Sequence, residues 1–438
     1  MRLLLSVFVA IACVACSQET EPVADAGGER AAADRLVNAE RVSGVLEGFV
    51  EQGELVGVSA LIYEDGEEVF FGAYGMADRD AGRPMARDTV ARIFSMTKPV
   101  TGVTLMTLYD EGRFELDDPL SDYLPEYADV MVYAGGEGDA VHLEPPQRPI
   151  SIRDITRHTA GFGGEPWVDR ALSEAGVMHP DNTLAVMSER IAAVPLGYQP
   201  GTRWRYGDSV DVQARLVEVL AGKPYAQVLR ERVLDPLGMS ETSYVFAPGQ
   251  RDRRMVLHER QQGGGFRPSA DAWLTGFNDE ARALTPGGWG LVSTIDDYMR
   301  FALMLQNDGE LDGVRILKPE TVRLMATDAL PDTVGDRHFL PNKGQVGFGI
   351  DFAVRIAPPA DQAEGSGAVG EFFWDGLAGT LFWVDPRNDI TAVLFNQWVP
   401  WGGVTVMKDF RDAIYHDDAE ASALNKSPAG PDSRRLSD

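Results

Sequence analysis

Apolar and polar positions change rhythm several times along this chain, and each change marks an element. Between residues 35 and 51, Leu36, Val42, Val45, Leu46 and Val50 recur at helical spacing and predict an amphipathic helix. Residues 56–62 and 69–74 are β-type runs, and Asp65-Gly66 between them is a hairpin turn. A helix begins near Ser95 and carries the apolar stripe Val100, Val103, Met106 and Leu108 until Glu111-Gly112-Arg113 ends it. Residues 115–150 read as a long irregular excursion, and helices are expected at 152–158, 180–194, 208–221 and 225–234. Gly287 to Leu291 is a tight apolar turn or buried strand, followed by a capping-box pattern at 293–297 and a helix at 298–305. A helix at Pro319–Met325, strands at 346–352, 379–384 and 390–396, and a last helix at 410–416 complete the pattern. The order implies an α+β protein. An antiparallel sheet flanked by helices is built from residues 35–98 and 286–416, and an all-helical lobe occupies 99–285.

At 438 residues, with 44% apolar and 24% charged positions, the chain has material for a large core. Its net charge of −27 argues against a nucleic-acid partner. The first residues read as an export signal: Arg2, then an apolar stretch to Ala15 too short to span a bilayer. Cys13-Val14-Ala15-Cys16-Ser17 resembles a bacterial lipobox, so lipidation at Cys16 and a location at the periplasm or outer membrane are expected. Cys13 stands where leucine is usual, which leaves ordinary signal cleavage as the alternative. Residues 17–34 then form a flexible tether and 417–438 a disordered tail. Both cysteines lie in the leader, so no disulfide is expected in the mature domain. No later stretch reads as transmembrane. The six histidines lack ligand spacing, and no phosphate-binding loop appears, so neither a metal nor another cofactor is expected.

Three places carry candidate chemistry. Ser95 and Lys98 are one helical turn apart, so a hydroxyl and an amine share a face. A hydroxyl beside a buried amine is a nucleophile with its base, and the helix start favours negative charge on nearby oxygens. Tyr206 lies on a loop just before the helix at 208, where a neighbouring cation such as Lys98 would let the phenol act as a base. Trp374-Asp375-Gly376-Leu377-Ala378-Gly379-Thr380 is expected at a strand entry, where the Leu377 N–H can pair with that of Ser95 to hold an oxyanion. Gly-x-Ser-x-Gly is absent, so an α/β-hydrolase elbow is excluded.

Together with His158-Thr159-Ala160-Gly161 and the segment 287–294, these motifs resemble the class C β-lactamase and penicillin-binding-protein-like serine hydrolases, the carboxylesterase branch above all. The likeness runs over most of 38–416 and implies a β-lactamase/transpeptidase-like fold. It implies Ser95 as acylating nucleophile, Lys98 and Tyr206 as bases, and the amides of Ser95 and Leu377 as the oxyanion hole. It implies His158 as a satisfied core histidine. Asp208 stands where the lactamases carry Asn, Trp374 where they carry Lys, and Asp375 where they carry Thr or Ser. These three, with Gly376 and Trp289, are the expected substrate contacts. Fewer cations, an added carboxylate and an indole wall point to small esters, not anionic β-lactams. The alternatives are amide hydrolysis, of a β-lactam or a D-amino-acid peptide, and an inactive envelope-binding lipoprotein.

Overall fold

A computed structural model describes residues 35–400 and 404–415. The leader, Cys16, the tether and the tail lie outside the described residues. Helix α1 (Ala39–Glu51) starts at Asn38, whose side chain accepts the Arg41 N–H, and turns Val42 and Leu46 inward. Strands β1 (Gly57–Glu64) and β2 (Glu67–Asp78) form the expected hairpin. Both turn residues, Asp65 and Gly66, have positive φ, as a tight two-residue hairpin requires. A short β3 (Arg83–Pro84) follows. The remaining strands come from the other end of the chain: β4 (Val346–Phe348), β5 (Ala353–Arg355), β6 (Phe372–Asp375), β7 (Leu381–Asp385) and β8 (Ile390–Phe395).

These strands form one antiparallel sheet in the order β4-β5-β6-β7-β8-β1-β2-β3. Its middle is the seam between the two ends of the chain, with Ser59 opposite Phe395 and Glu64 opposite Ile390. β7 and β8 are buried on both faces, which is why they read as continuous apolar runs.

The helix that follows Ser95, α2 (Thr97–Asp110), is buried on every side from Thr97 to Leu108, not along one stripe. Its threonines fit because Thr101, Thr104 and Thr107 donate their hydroxyls to carbonyls one turn back. Helices α3 (Leu184–Ala192) and α4 (Ser209–Ala221) follow, and α4 packs on α2. α5 (Ile295–Gln306) is capped by Thr294, and α6 (Val406–Tyr415) closes the fold. The adjacent residues Phe382 and Trp383 on β7 point to opposite faces of the sheet. Phe382 packs on Tyr298 and Phe301 of α5, and Trp383 on Phe410 of α6. The sheet is therefore the middle layer between α5 and the α1–α6 pair.

Three expectations need correction. The stretch 99–285 is not all helical: it holds the hairpins Val132–Gly135 with His142–Glu144, and His258–Arg260 with Phe266–Pro268. These strands are short and partly exposed, so they carry no alternating signal. The run at 346–352 ends early, because Asp351 at φ 63° turns the chain into β5. Trp374 and Asp375 end β6 instead of opening a strand, and Gly376 to Thr380 is the turn into β7.

Candidate active site

Ser95 lies in a tight 3₁₀ turn, Phe94–Met96, immediately before α2. From Thr89 to Leu108 it is the one residue not buried. The turn is held firmly. Tyr298 donates its hydroxyl to the Met96 carbonyl at 2.8 Å, and Gln397 donates to the Arg92 carbonyl at 2.8 Å. Phe94 sits at φ 45°, a left-handed conformation that a non-glycine residue keeps only when its surroundings enforce it.

Lys98 is 5% exposed. Its Nζ donates to the Gly288 carbonyl at 2.7 Å and stands 4.5 Å from the centre of the Tyr206 ring. That contact brings amine and phenol together from chain segments more than 100 residues apart. The Tyr206 oxygen accepts the indole N–H of Trp374 at 3.1 Å, and Phe339, His158 and Trp374 pack around its ring at 4.8–5.3 Å.

On the far side, the Gly376 N–H donates to the Thr380 carbonyl at 2.8 Å. A Cβ on Gly376 would stand 2.5 Å from the Ile93 carbonyl oxygen, so the turn carrying Leu377 lies directly against the chain that carries Ser95. Leu377 is 45% exposed. Among the described residues, neither the Ser95 nor the Leu377 amide donates a hydrogen bond.

Several side chains differ from their expected setting. Trp374 is 1% exposed, so its indole is no open substrate wall; it is packed against Tyr206 and Phe348. Asp375 is not an unmatched negative charge. Lys343, from the turn Leu340–Lys343, pairs with it at 2.5 Å and lies 4.7 Å over the Trp374 ring. His158 is a core residue but not a satisfied one, because both ring nitrogens are buried without a partner. Burial, then the Lys98 charge, holds its pKa well below the usual histidine value. Trp289 is half-buried against Phe277 and Trp273, with ring centres at 4.4 and 5.2 Å.

Asp208, just before α4, is half-buried and enclosed by protein atoms. Its carboxyl is pushed up to about 7 by burial and then by Asp211, against the pull of Lys98. Asp211, in the first turn of α4, plays a part beyond the helix start. It is buried, and its Oδ1 accepts the Gly288 N–H at 3.0 Å while the Gly288 carbonyl takes Lys98. Burial raises its pKa, opposed by Lys98. A Cβ on Gly288 would stand 2.8 Å from Asp211 Oδ2 and 3.1 Å from Lys98 Nζ, so a side chain here would have to displace the Asp211 carboxylate or the Lys98 amine. The signal that could have found it is Gly287-Gly288-Trp289-Gly290, a glycine density suited to close backbone approach.

A buried amine against a phenol, beside a single opened serine and two unspent amides, is the equipment of covalent acyl transfer. The comparisons agree on the class. The family model described as Beta-lactamase matches residues 42–415, and the chain belongs to that family and is a serine hydrolase. Within it, the chain is 36% identical to Protein Rv1367c of Mycobacterium tuberculosis, covering 80% of this chain and 88% of that one. It is 28% identical to Esterase EstB of Burkholderia gladioli, covering 86% and 95%. The solved structure of EstCE1, described as a hydrolase with promiscuous acyltransferase activity, superposes with a TM-score of 0.73 at 26% identity, covering 86% and 98%.

Proposed function

We propose that the protein hydrolyses small carboxylic esters through an acyl-enzyme on Ser95. The observation that carries this reading is the Lys98 Nζ at 4.5 Å from the Tyr206 ring, one helical turn from the half-buried Ser95. The Ser95 oxygen attacks the ester carbonyl, and its proton passes to the Lys98–Tyr206 pair. The carbonyl oxygen becomes an oxyanion between the Ser95 and Leu377 amides, which are preorganised donors costing no rearrangement. The C–O bond to the alcohol breaks, and the same pair returns the proton to the leaving oxygen. Water then adds to the acyl group, gives up a proton to the pair and releases the acid, restoring the Ser95 hydroxyl.

Ester over amide is favoured by Trp374 at the place where β-lactamases carry a lysine, and by the esterase and hydrolase relatives. The Asp375 charge no longer bears on the choice, since Lys343 neutralises it. Trp289, half-buried beside the Ser95 turn, is proposed as an apolar substrate contact, whereas Gly376, expected to let substrate approach the backbone, instead lets its own turn pack on Ile93 and Thr380. Amide hydrolysis remains the second reading, supported by the family itself. The proposed location, with Cys16 lipidated at the periplasm or outer membrane, rests on the leader sequence and is independent of this chemistry.

Rates on p-nitrophenyl butyrate, a chromogenic cephalosporin and a D-Ala-D-Ala peptide test the reading. The ester should exceed both amides in kcat/KM by at least about a hundredfold, the scale of one mismatched polar contact in a site. A cephalosporin or peptide turned over faster than the ester would overturn it.

A further inference from the structure

Thr380 is fully buried at the end of the turn that presents Leu377. Its carbonyl accepts the Gly376 N–H at 2.8 Å and so closes that turn. Its hydroxyl donates to the carbonyl of Ile93 at 3.3 Å, two residues before Ser95. The contact is long for a hydroxyl, but among the described residues Ile93 is its one acceptor. One side chain therefore bridges the segment holding the Ser95 amide and the segment holding the Leu377 amide. Gly376 is squeezed between the two: a Cβ there would meet Thr380 Oγ1 at 2.2 Å and the Ile93 oxygen at 2.5 Å. From behind, the Trp398 N–H supports the Ala378 carbonyl at 3.1 Å and the Gln397 side chain supports the Arg92 carbonyl at 2.8 Å. Those two supports come from adjacent residues and link the segments indirectly, whereas the Thr380 hydroxyl spans from one segment to the other in a single bond.

We propose that Thr380 is a positioning residue that sets the separation of the Ser95 and Leu377 amides, and so the fit of the pair to an oxyanion. The proposal rests on the acyl-enzyme reading above. An oxyanion hole acts through donors fixed at about 3 Å from the developing charge, and the Thr380 hydroxyl joins the two segments directly, where Gln397 and Trp398 only support each from behind. Removing the hydroxyl while keeping the shape should let the two amides drift apart without emptying the core.

The test compares Thr380→Val and Thr380→Ser with the wild-type chain on p-nitrophenyl butyrate. It also measures inhibition by phenylboronic acid, which adds to a serine oxygen as a tetrahedral anion. T380V should lose about tenfold to a hundredfold in kcat, the cost of a displacement near 1 Å. Its KM should stay within about twofold, since ground-state binding is untouched. Boronate affinity should fall by the same factor as kcat, and T380S should recover most of both. Wild-type kcat and boronate affinity in T380V would overturn the proposal, as would equal losses in T380V and T380S, which would mark a packing role. If T380V does not fold, Thr380→Ala against T380S carries the same comparison. Ser95→Ala separates the two levels. Activity surviving in S95A defeats the acyl-enzyme reading itself, whereas an inactive S95A beside an unimpaired T380V defeats only the role of Thr380.

Discussion

The indole N–H of Trp374 donates to the phenolic oxygen of Tyr206 across 3.1 Å, from a side chain with almost no exposure of its own. A donor aimed at that oxygen stabilises negative charge there and fixes the direction in which the phenol's own proton must point. The residue that reads in sequence as a substrate wall is, in the fold, support for the proposed base.

Trp374→Phe keeps the aromatic packing and deletes the donor. A hydrogen bond to a charged acceptor is worth about 1.5–3 kcal/mol, so kcat on a p-nitrophenyl ester should fall by roughly tenfold to a hundredfold. KM should change little. If Trp374 were instead a substrate wall, KM would rise and kcat would hold, so steady-state kinetics of the one variant distinguishes the two roles.

The Lys343–Asp375 pair should matter more broken than absent. Lys343→Met leaves a mostly buried carboxylate without its partner at 2.5 Å. Loss of one member of such a pair costs about 3 kcal/mol, read as a shift in the urea midpoint. The double variant K343M/D375N should recover most of that loss. Two single-site costs that simply add would show that the pair is not coupled.

Asp208 gives the stability a pH dependence of definite sign. Folded, its carboxyl keeps a proton up to about 7, whereas an ordinary aspartate in the unfolded chain gives its proton up at about 4. The folded state therefore binds more protons across that window, and this group lowers stability as pH rises through it. Asp208→Asn cannot ionise. Its Tm relative to wild type should be lowest near pH 4, climb through the window and level off above pH 7. Parallel Tm curves for the two proteins from pH 4 to 8 would rule out a raised Asp208 pKa.

How much of this was legible follows from what each signal depends on. The β1–β2 hairpin and the two-ended sheet were readable, because alternation and Asp65-Gly66 are local features. So was the order of Ser95, Lys98, Tyr206 and Leu377, whose motifs are short and contiguous. Lys343 was not, since it approaches Asp375 from an aperiodic turn 32 residues away, and no spacing rule links them. The role of Asp211 was not legible either, because an acid in the first turn of a helix has an ordinary local explanation. Only the fold shows that Gly288 lies against it. The burial of Trp374 was equally hidden: its aromatic surroundings, Tyr206, Phe339 and Phe348, come from three separate segments.

The most direct test of the acyl-enzyme claim is mass spectrometry of protein quenched in acid during turnover of p-nitrophenyl butyrate, followed by peptide mapping. The prediction is a butyryl adduct on the peptide containing Ser95, absent in Ser95→Ala, which should also be inactive. An adduct on another residue, or full turnover by S95A, would contradict it.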